Sequence, residues 1–441
     1  MKSNFKFKVL ALIFMSSCNV AFAISLGECI ELALENNTEL KKLRAEFFAF
    51  QETQHQSFSS LLPTVGVSLS RSKVDQERSD TGRPIINQTY TTESDSLFLR
   101  QSIYRPKLLN DYKKSKKNVS AQRYFLKNSE EGLKMRVIEN YIRLITSKST
   151  ISLIRQQLNL LKTQKIAAEK SLSLGTGTIT EVVEIRAALD KTKVSLISNE
   201  QKFRQALNQL SFLVGKKIDD FDYEDRRYGG IQIFEGKTLG DWEKDALEKN
   251  FLALQMRDQI ESAKLALKSE KYGRYPTLDL NIQIARGTSE STFFVNSETK
   301  TQSIGLSFFL PIYSGGSIQS KIRQAKFLLD AETQSLVYEE EELIKKVQES
   351  FYGLKENIRL RKAIEKAIES ARTELDANEK SATAGIRRKL DVLESQQKLL
   401  TVEKELVGST MNIVLEWSNL NAYSGSLNNQ NVRKIQNFIK K

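Results

Sequence analysis

Proline is scarce in this chain, five in 441 residues, and unevenly placed. Pro63, Pro84 and Pro106 share one window, Pro276 and Pro311 another. Proline inside a helix costs about 3 kcal/mol, so the long intervals without it, from Lys107 to Tyr275 and after Pro311, leave very long helices open. Their Leu-, Glu-, Lys- and Gln-rich composition favours them. Histidine is scarcer still: His55 stands alone, which removes the basis for a histidine triad, a His-rich metal site or a His general base. The only cysteines are Cys18 and Cys29, so there is no disulfide framework and no CxxC pair. Beyond the N-terminal segment no stretch reaches the roughly 18 apolar residues of a membrane-spanning helix. There is no GxSxG, and Gly175-Thr176-Gly177-Thr178 lacks the lysine that completes a phosphate loop, so it reads as a turn. Nothing here supports catalysis, a cofactor or a metal.

The N-terminus has the layout of a secretory signal. Lys2, Lys6 and Lys8 precede the apolar run Val9 to Met15, and Ala21-Phe22-Ala23 offers a cleavage site after Ala23. The alternative, Cys18 as an acylated lipoprotein cysteine, fits less well because Met15-Ser16-Ser17 is a poor approach to it. Either route takes the protein out of the cytoplasm. Loss of the three signal lysines lowers the net charge from +13 to +10. The remaining Lys and Arg are scattered among Glu and Asp along polar helix faces rather than clustered with aromatics, which argues against nucleic acid.

Inside the two proline windows the hydrophobic period changes from helical to alternating, the mark of strands with unlike faces. Four strands are expected, at about 64–72, 95–104, 277–286 and 301–310. The third is the clearest, with Leu278, Leu280, Ile282 and Ile284 opposed to Asp279, Asn281 and Gln283. Strands of about 9 to 11 residues, apolar on one side and polar or small on the other, suit a membrane β-barrel. A soluble sandwich would not join its hairpins through so long a helical interval. Four strands cannot close a barrel, and an open edge in lipid leaves backbone groups unsatisfied, so the barrel must be shared between chains.

The second half of the sequence repeats the first at a spacing of about 210 residues. Leu62-Pro63 answers to Tyr275-Pro276, Gly175 to Gly385, and Glu181-Val182-Val183-Glu184 to Asp391-Val392-Leu393-Glu394. Val182, Leu189, Leu196, Phe203 and Leu210 recur every seventh residue, and Val392, Leu399, Leu406, Ile413 and Leu420 repeat the phase, as coiled-coil seams do. Each half reads as helix, strand, strand, long helix, glycine turn, long helix. The expected organisation is a signal over 1–23, a first repeat over 24–215 with its tip near 175–181, and a linker over 216–238. A second repeat over 239–424, with its tip near 385–391, and a basic, mobile tail over 425–441 complete it. The fold class is mainly α with a β-barrel contribution.

Taken in order, three segments resemble the TolC family of outer-membrane efflux and secretion channels: the opening Ser25 to Asn37, Leu61-Leu62-Pro63, and Phe309-Leu310-Pro311-Ile312-Tyr313-Ser314-Gly315-Gly316. The resemblance implies a homotrimer with a twelve-stranded barrel in outer-membrane lipid above an α-helical barrel that crosses the periplasm of a Gram-negative cell. It also implies docking to a periplasmic adaptor and an inner-membrane transporter. The family's second tip carries Gly-x-Arg and then two aspartates three apart; here the stretch is Gly385-Ile386-Arg387-Arg388-Lys389-Leu390-Asp391-Val392-Leu393-Glu394. The match makes Asp391 and Glu394 the gate carboxylates, Glu394 departing in identity but not in charge. Arg387 matches the gate arginine, and Thr180 and Glu181 the pair that receives it. Ala382 stands where the family has a gate tyrosine. Gly175, Gly177 and Gly385 mark the tip turns.

Apart from any resemblance, residues 391 and 394 lie one helical turn apart, so their carboxylates share a face. Repeated threefold around an opening, they would attract cations. Ordinary solvated acids near a turn are the plainer reading. The functional expectation is a passive exit duct for an efflux pump or a type I secretion system. The alternative, a periplasmic coiled-coil adaptor without a channel, would need one hairpin flanked by small β-domains.

Overall fold

The structure is a computed structural model that describes residues 24–82, 84–218, 236–290 and 297–440. The signal with its cleavage point, and residues 219–235 of the expected linker, lie outside the described residues. The described elements run α1 (Leu26–Asn36), α2 (Thr38–Ser59), β1 (Thr64–Arg78), β2 (Ile86–Tyr104), α3 (Pro106–Ser173) and α4 (Ile179–Val214). They continue with α5 (Leu239–Lys249), α6 (Phe251–Lys271), β3 (Thr277–Ser289), β4 (Ser297–Phe309), α7 (Ser317–Thr383), α8 (Lys389–Tyr423) and α9 (Asn429–Lys440).

The proline-free intervals are helices of 68 residues in α3 and 67 in α7. At about 1.5 Å per residue each extends roughly 100 Å. Pro106 opens α3 at the first helical position, where a missing N–H costs nothing. The heptad rows face inward: Leu144, Ile151, Leu158, Ile154 and Leu161 of α3 are buried, as are Val392, Ile413 and Leu420 of α8. α3 folds back on α4 and α7 on α8, and α3 also packs along α6 and α8.

One helix is expected ahead of each strand pair, and two are found. The break falls at an asparagine each time. Asn37 caps α2 by accepting from the Leu40 N–H at 3.0 Å, and its amide donates to the Leu213 carbonyl at the end of α4 at 3.1 Å. Asn250 caps α6 by accepting from Leu252 N–H at 2.8 Å and donates to the Tyr423 carbonyl ending α8 at 2.9 Å. A buried asparagine that satisfies two chain ends at once turns a continuous helix into a joint.

The strands form one antiparallel sheet in the order β1-β2-β3-β4, so the two hairpins lie side by side. Val67 faces Leu97, and Leu97 faces Ile284, so the apolar residues of all strands share one face. Val65, Val67, Leu69, Ile304, Leu306 and Phe308 are exposed on it. The strands outrun the alternation: β1 continues to Arg78 and β2 begins at Ile86, the added rows mostly polar apart from Val74, Ile86 and Tyr90, and paired strand to strand. β1 and β4 are the sheet's edges.

The main core sits where the short helices wrap the long ones. Leu26, Ile30, Ile138, Tyr141, Ile145 and Leu210 meet Trp242, Trp417 and Leu420 there. The expected mobile tail is instead α9, whose Val432, Ile435 and Phe438 are buried in this core. Their spacing of three places them on one helical stripe, and burial of that stripe outweighs the basic residues between them.

Candidate functional site at the hairpin tips

The far ends of the two helical hairpins are built alike. Gly175 ends α3 with φ +73° and Gly385 ends α7 with φ +75°, the left-handed value that favours glycine. Gly175 N–H donates to Leu172 O and Thr176 N–H to Ser171 O, each at 3.0 Å; Gly385 N–H donates to Ala382 O at 3.1 Å and Ile386 N–H to Ser381 O at 2.9 Å. Gly177 is fixed by space, since a Cβ there would lie 2.9 Å from the Leu172 backbone nitrogen.

The next helices start on side-chain caps. The Thr178 hydroxyl accepts from Glu181 N–H at 3.3 Å. Asp391 reaches back to accept from Arg388 N–H at 3.3 Å. Asp391 is one-fifth exposed, with the Arg388 guanidinium at 3.4 Å and that of Arg387 at 3.9 Å. Glu394, one turn on, is exposed, as are Thr180 and Arg387. Within one chain, therefore, Asp391 combines helix capping with two arginine contacts, and Arg387 lies against Asp391 rather than Glu181.

Glu181 has a different partner. The ammonium of Lys389, in the first turn of α8, lies 2.6 Å from its carboxylate, and the Glu181 side chain is largely buried. This ion pair joins the two hairpins directly. Deeper in, the Gln164 amide of α3 donates to the Gln396 carbonyl oxygen of α8 at 3.3 Å. Between the hairpins lies a cavity of ≈ 400 Å³, lined by Gln164, Ile185, Glu379, Ala382, Lys389 and Leu393 among others. Ala382 thus borders open space between the tips. Sequence reading passed over Lys389, because its partner lies in the other half of the chain and no local spacing announces it.

Long paired hairpins on a four-stranded sheet with one exposed apolar face are the architecture of outer-membrane channel proteins. The outer membrane efflux protein family model matches residues 29–216 and 242–426, and the chain belongs to that family. It is a family of transport channels, not of enzymes, and its place is the Gram-negative outer membrane with a periplasmic extension. The chain is 25% identical over 442 residues to the proteases secretion protein PrtF of Dickeya chrysanthemi, covering 97% of this chain and 94% of that protein. It is 24% identical to the outer membrane protein TolC of Escherichia coli, covering 95% and 86%. Among solved structures, CusC superposes with a TM-score of 0.80 at 14% identity, covering 91% of this chain and 92% of that one. The outer membrane protein VceC of Vibrio cholerae gives 0.79 at 16%, covering 91% and 97%.

Proposed function

We propose that three copies of this chain form a passive exit duct. Four strands from each would close a shared barrel in the outer membrane, and the hairpins of all three would form a periplasmic tunnel narrowed at its tip. The observation that carries the reading is the sheet itself. It exposes Val65, Val67, Leu69, Ile304, Leu306 and Phe308 on one face and leaves β1 and β4 without partners within the chain. In lipid those edges need strands, and identical chains supply them. The two similarly built halves support an internal repeat, with the joint between them in the 216–238 segment.

The duct would serve a tripartite efflux pump or a type I secretion system, meeting a periplasmic adaptor and an inner-membrane transporter at the tips. PrtF at 25% identity, and the alkaline protease secretion protein AprF of Pseudomonas aeruginosa at 24%, support the secretion arm. A channel-free adaptor fits less well, because both strand pairs lie in one sheet. The purified protein should run as a trimer in detergent and give single-channel steps in a planar bilayer. Absence of both would favour the adaptor.

In this reading Asp391 and Glu394 line the constriction, and Arg387 together with Thr180 and Glu181 contributes closing contacts between neighbouring chains. Replacing Asp391 and Glu394 with Asn and Gln should weaken block by multivalent cations by about tenfold or more. Undiminished block places the constriction elsewhere.

A further inference from the structure

The face of the sheet opposite the apolar one is almost free of charge. Among the described strand residues it carries only Arg78, Arg100 and Asp279. Two of these are spoken for. Arg78 lies 3.1 Å from Asp80 at the far end of the first hairpin. Asp279 is buried and receives the Arg105 Nε–H at 2.9 Å. Arg71 with Glu93 and Arg286 with Glu298 belong to the other face. Arg100 remains, exposed and in no ion pair among the described residues, although the Asp279 carboxylate in the adjoining row, already held by Arg105, lies within reach of its charge.

Its row is open. Across the sheet Arg100 stands between Thr64 and Asn281, and Asn281 faces Gly305. None of these offers an anion. Phe98, the next residue along this face of β2, is opposite Gly66 and lies on it so closely that a Cβ on Gly66 would fall 2.5 Å from the ring. Glycine thus leaves the room in which the Phe98 ring lies against β1.

We infer that Arg100 sets the charge preference of the barrel section. Three guanidiniums, one per chain, would form a ring in a lumen whose other charges are paired within each chain and whose remaining lining is mostly hydroxyl and amide, drawing in the carboxylate or phosphate groups of passing solutes. The inference rests on the threefold barrel of the proposed function. A fixed charge inside a narrow pore of low-dielectric wall acts strongly on permeant ions. Guanidinium keeps its charge at every physiological pH and grips oxyanions bidentately. Its sign is opposite to that of the carboxylates proposed for the periplasmic tip, so the duct would present unlike filters at its two ends.

The test is the reversal potential of the trimer in a planar bilayer under a KCl gradient, with tripolyphosphate added on the barrel side as a compact anion. Arg100→Gln should shift permeability toward potassium, Arg100→Glu should shift it further, and Arg100→Lys should resemble the wild type. Block by barrel-side tripolyphosphate should weaken by about tenfold in Arg100→Gln. In the wild type it should also fade between 0.1 M and 1 M KCl as the screening length shrinks from about 10 Å to about 3 Å. That salt series keeps the test decisive if a variant fails to insert. Unchanged reversal potential and block across conducting variants, or wild-type block absent at 0.1 M KCl, overturns the inference. A wild type that forms no channel overturns the barrel reading instead.

Discussion

Asn37 and Asn250 each hold three chain segments together with one buried side chain, capping the helix that follows and donating to the last turn of a long helix from the same half. Both are visible in the sequence only as ordinary turn formers; their second bond, to Leu213 or Tyr423, depends on packing that no local window contains. Lys389 was hidden for the same reason. Its pair with Glu181 is half open to water on the lysine side, so it contributes about 0 to 1 kcal/mol to stability. Lys389→Gln should therefore leave the melting temperature nearly unchanged and raise the open probability of the proposed channel in a bilayer, as should Arg387→Ser. Unaltered gating in both variants would mean that neither side chain restrains the tip. Asp245 provides a residue-scale test on pH. The Lys237 and Lys249 ammoniums, at 2.6 and 2.5 Å, hold its carboxyl below the usual carboxylate range. A lowered folded-state value adds stability above the ordinary carboxylate range and loses it as pH falls through the depressed one. Thermal melts of wild type and Asp245→Asn should thus differ at pH 7 and converge in acid. A gap that persists below the depressed value would contradict the pairing.

Among elements, the long helices and the four strands were the most legible. Proline spacing delimited α3 and α7, and alternation in Leu278 to Ile284 fixed which face of β3 is apolar. The outer rows of β1 and β2, from Lys73 to Arg78 and from Ile86 to Ser94, were not legible, because residues that are mostly polar on both sides, with only Val74, Ile86 and Tyr90 among them, carry no clear period; their pairing is set by the register begun lower in the hairpin. α9 was missed because Arg433 and Lys434 mask a stripe of only three residues. Its burial nonetheless makes it part of the core, and Ile435→Ala should cost about 2 to 5 kcal/mol in denaturant unfolding. Retention of full stability would show that the helix merely rests on the surface. The turn leading to it is equally constrained: Gly425 has φ +60°, and a Cβ there would lie 2.5 Å from the Lys249 carbonyl oxygen.

For the molecule as a whole, the sheet and the tips point to the same assembly from opposite ends. The sheet has unpartnered edges and an exposed apolar face, and the tips carry exposed charge at the ends of roughly 100 Å helices. The central claim is that β1 of one chain pairs with β4 of the next. Cysteine scanning tests it directly, with Ser70→Cys on β1 combined in turn with Thr299→Cys, Thr301→Cys or Ser303→Cys on β4. Cys29 supplies little background, since it is fully buried and its thiol is pushed up to about 12, mainly by burial. At least one combination should oxidise in outer membranes to a covalent ladder that ends at three chains. A ladder that ends at two, one that continues past three, or no cross-link in any combination would contradict the shared barrel.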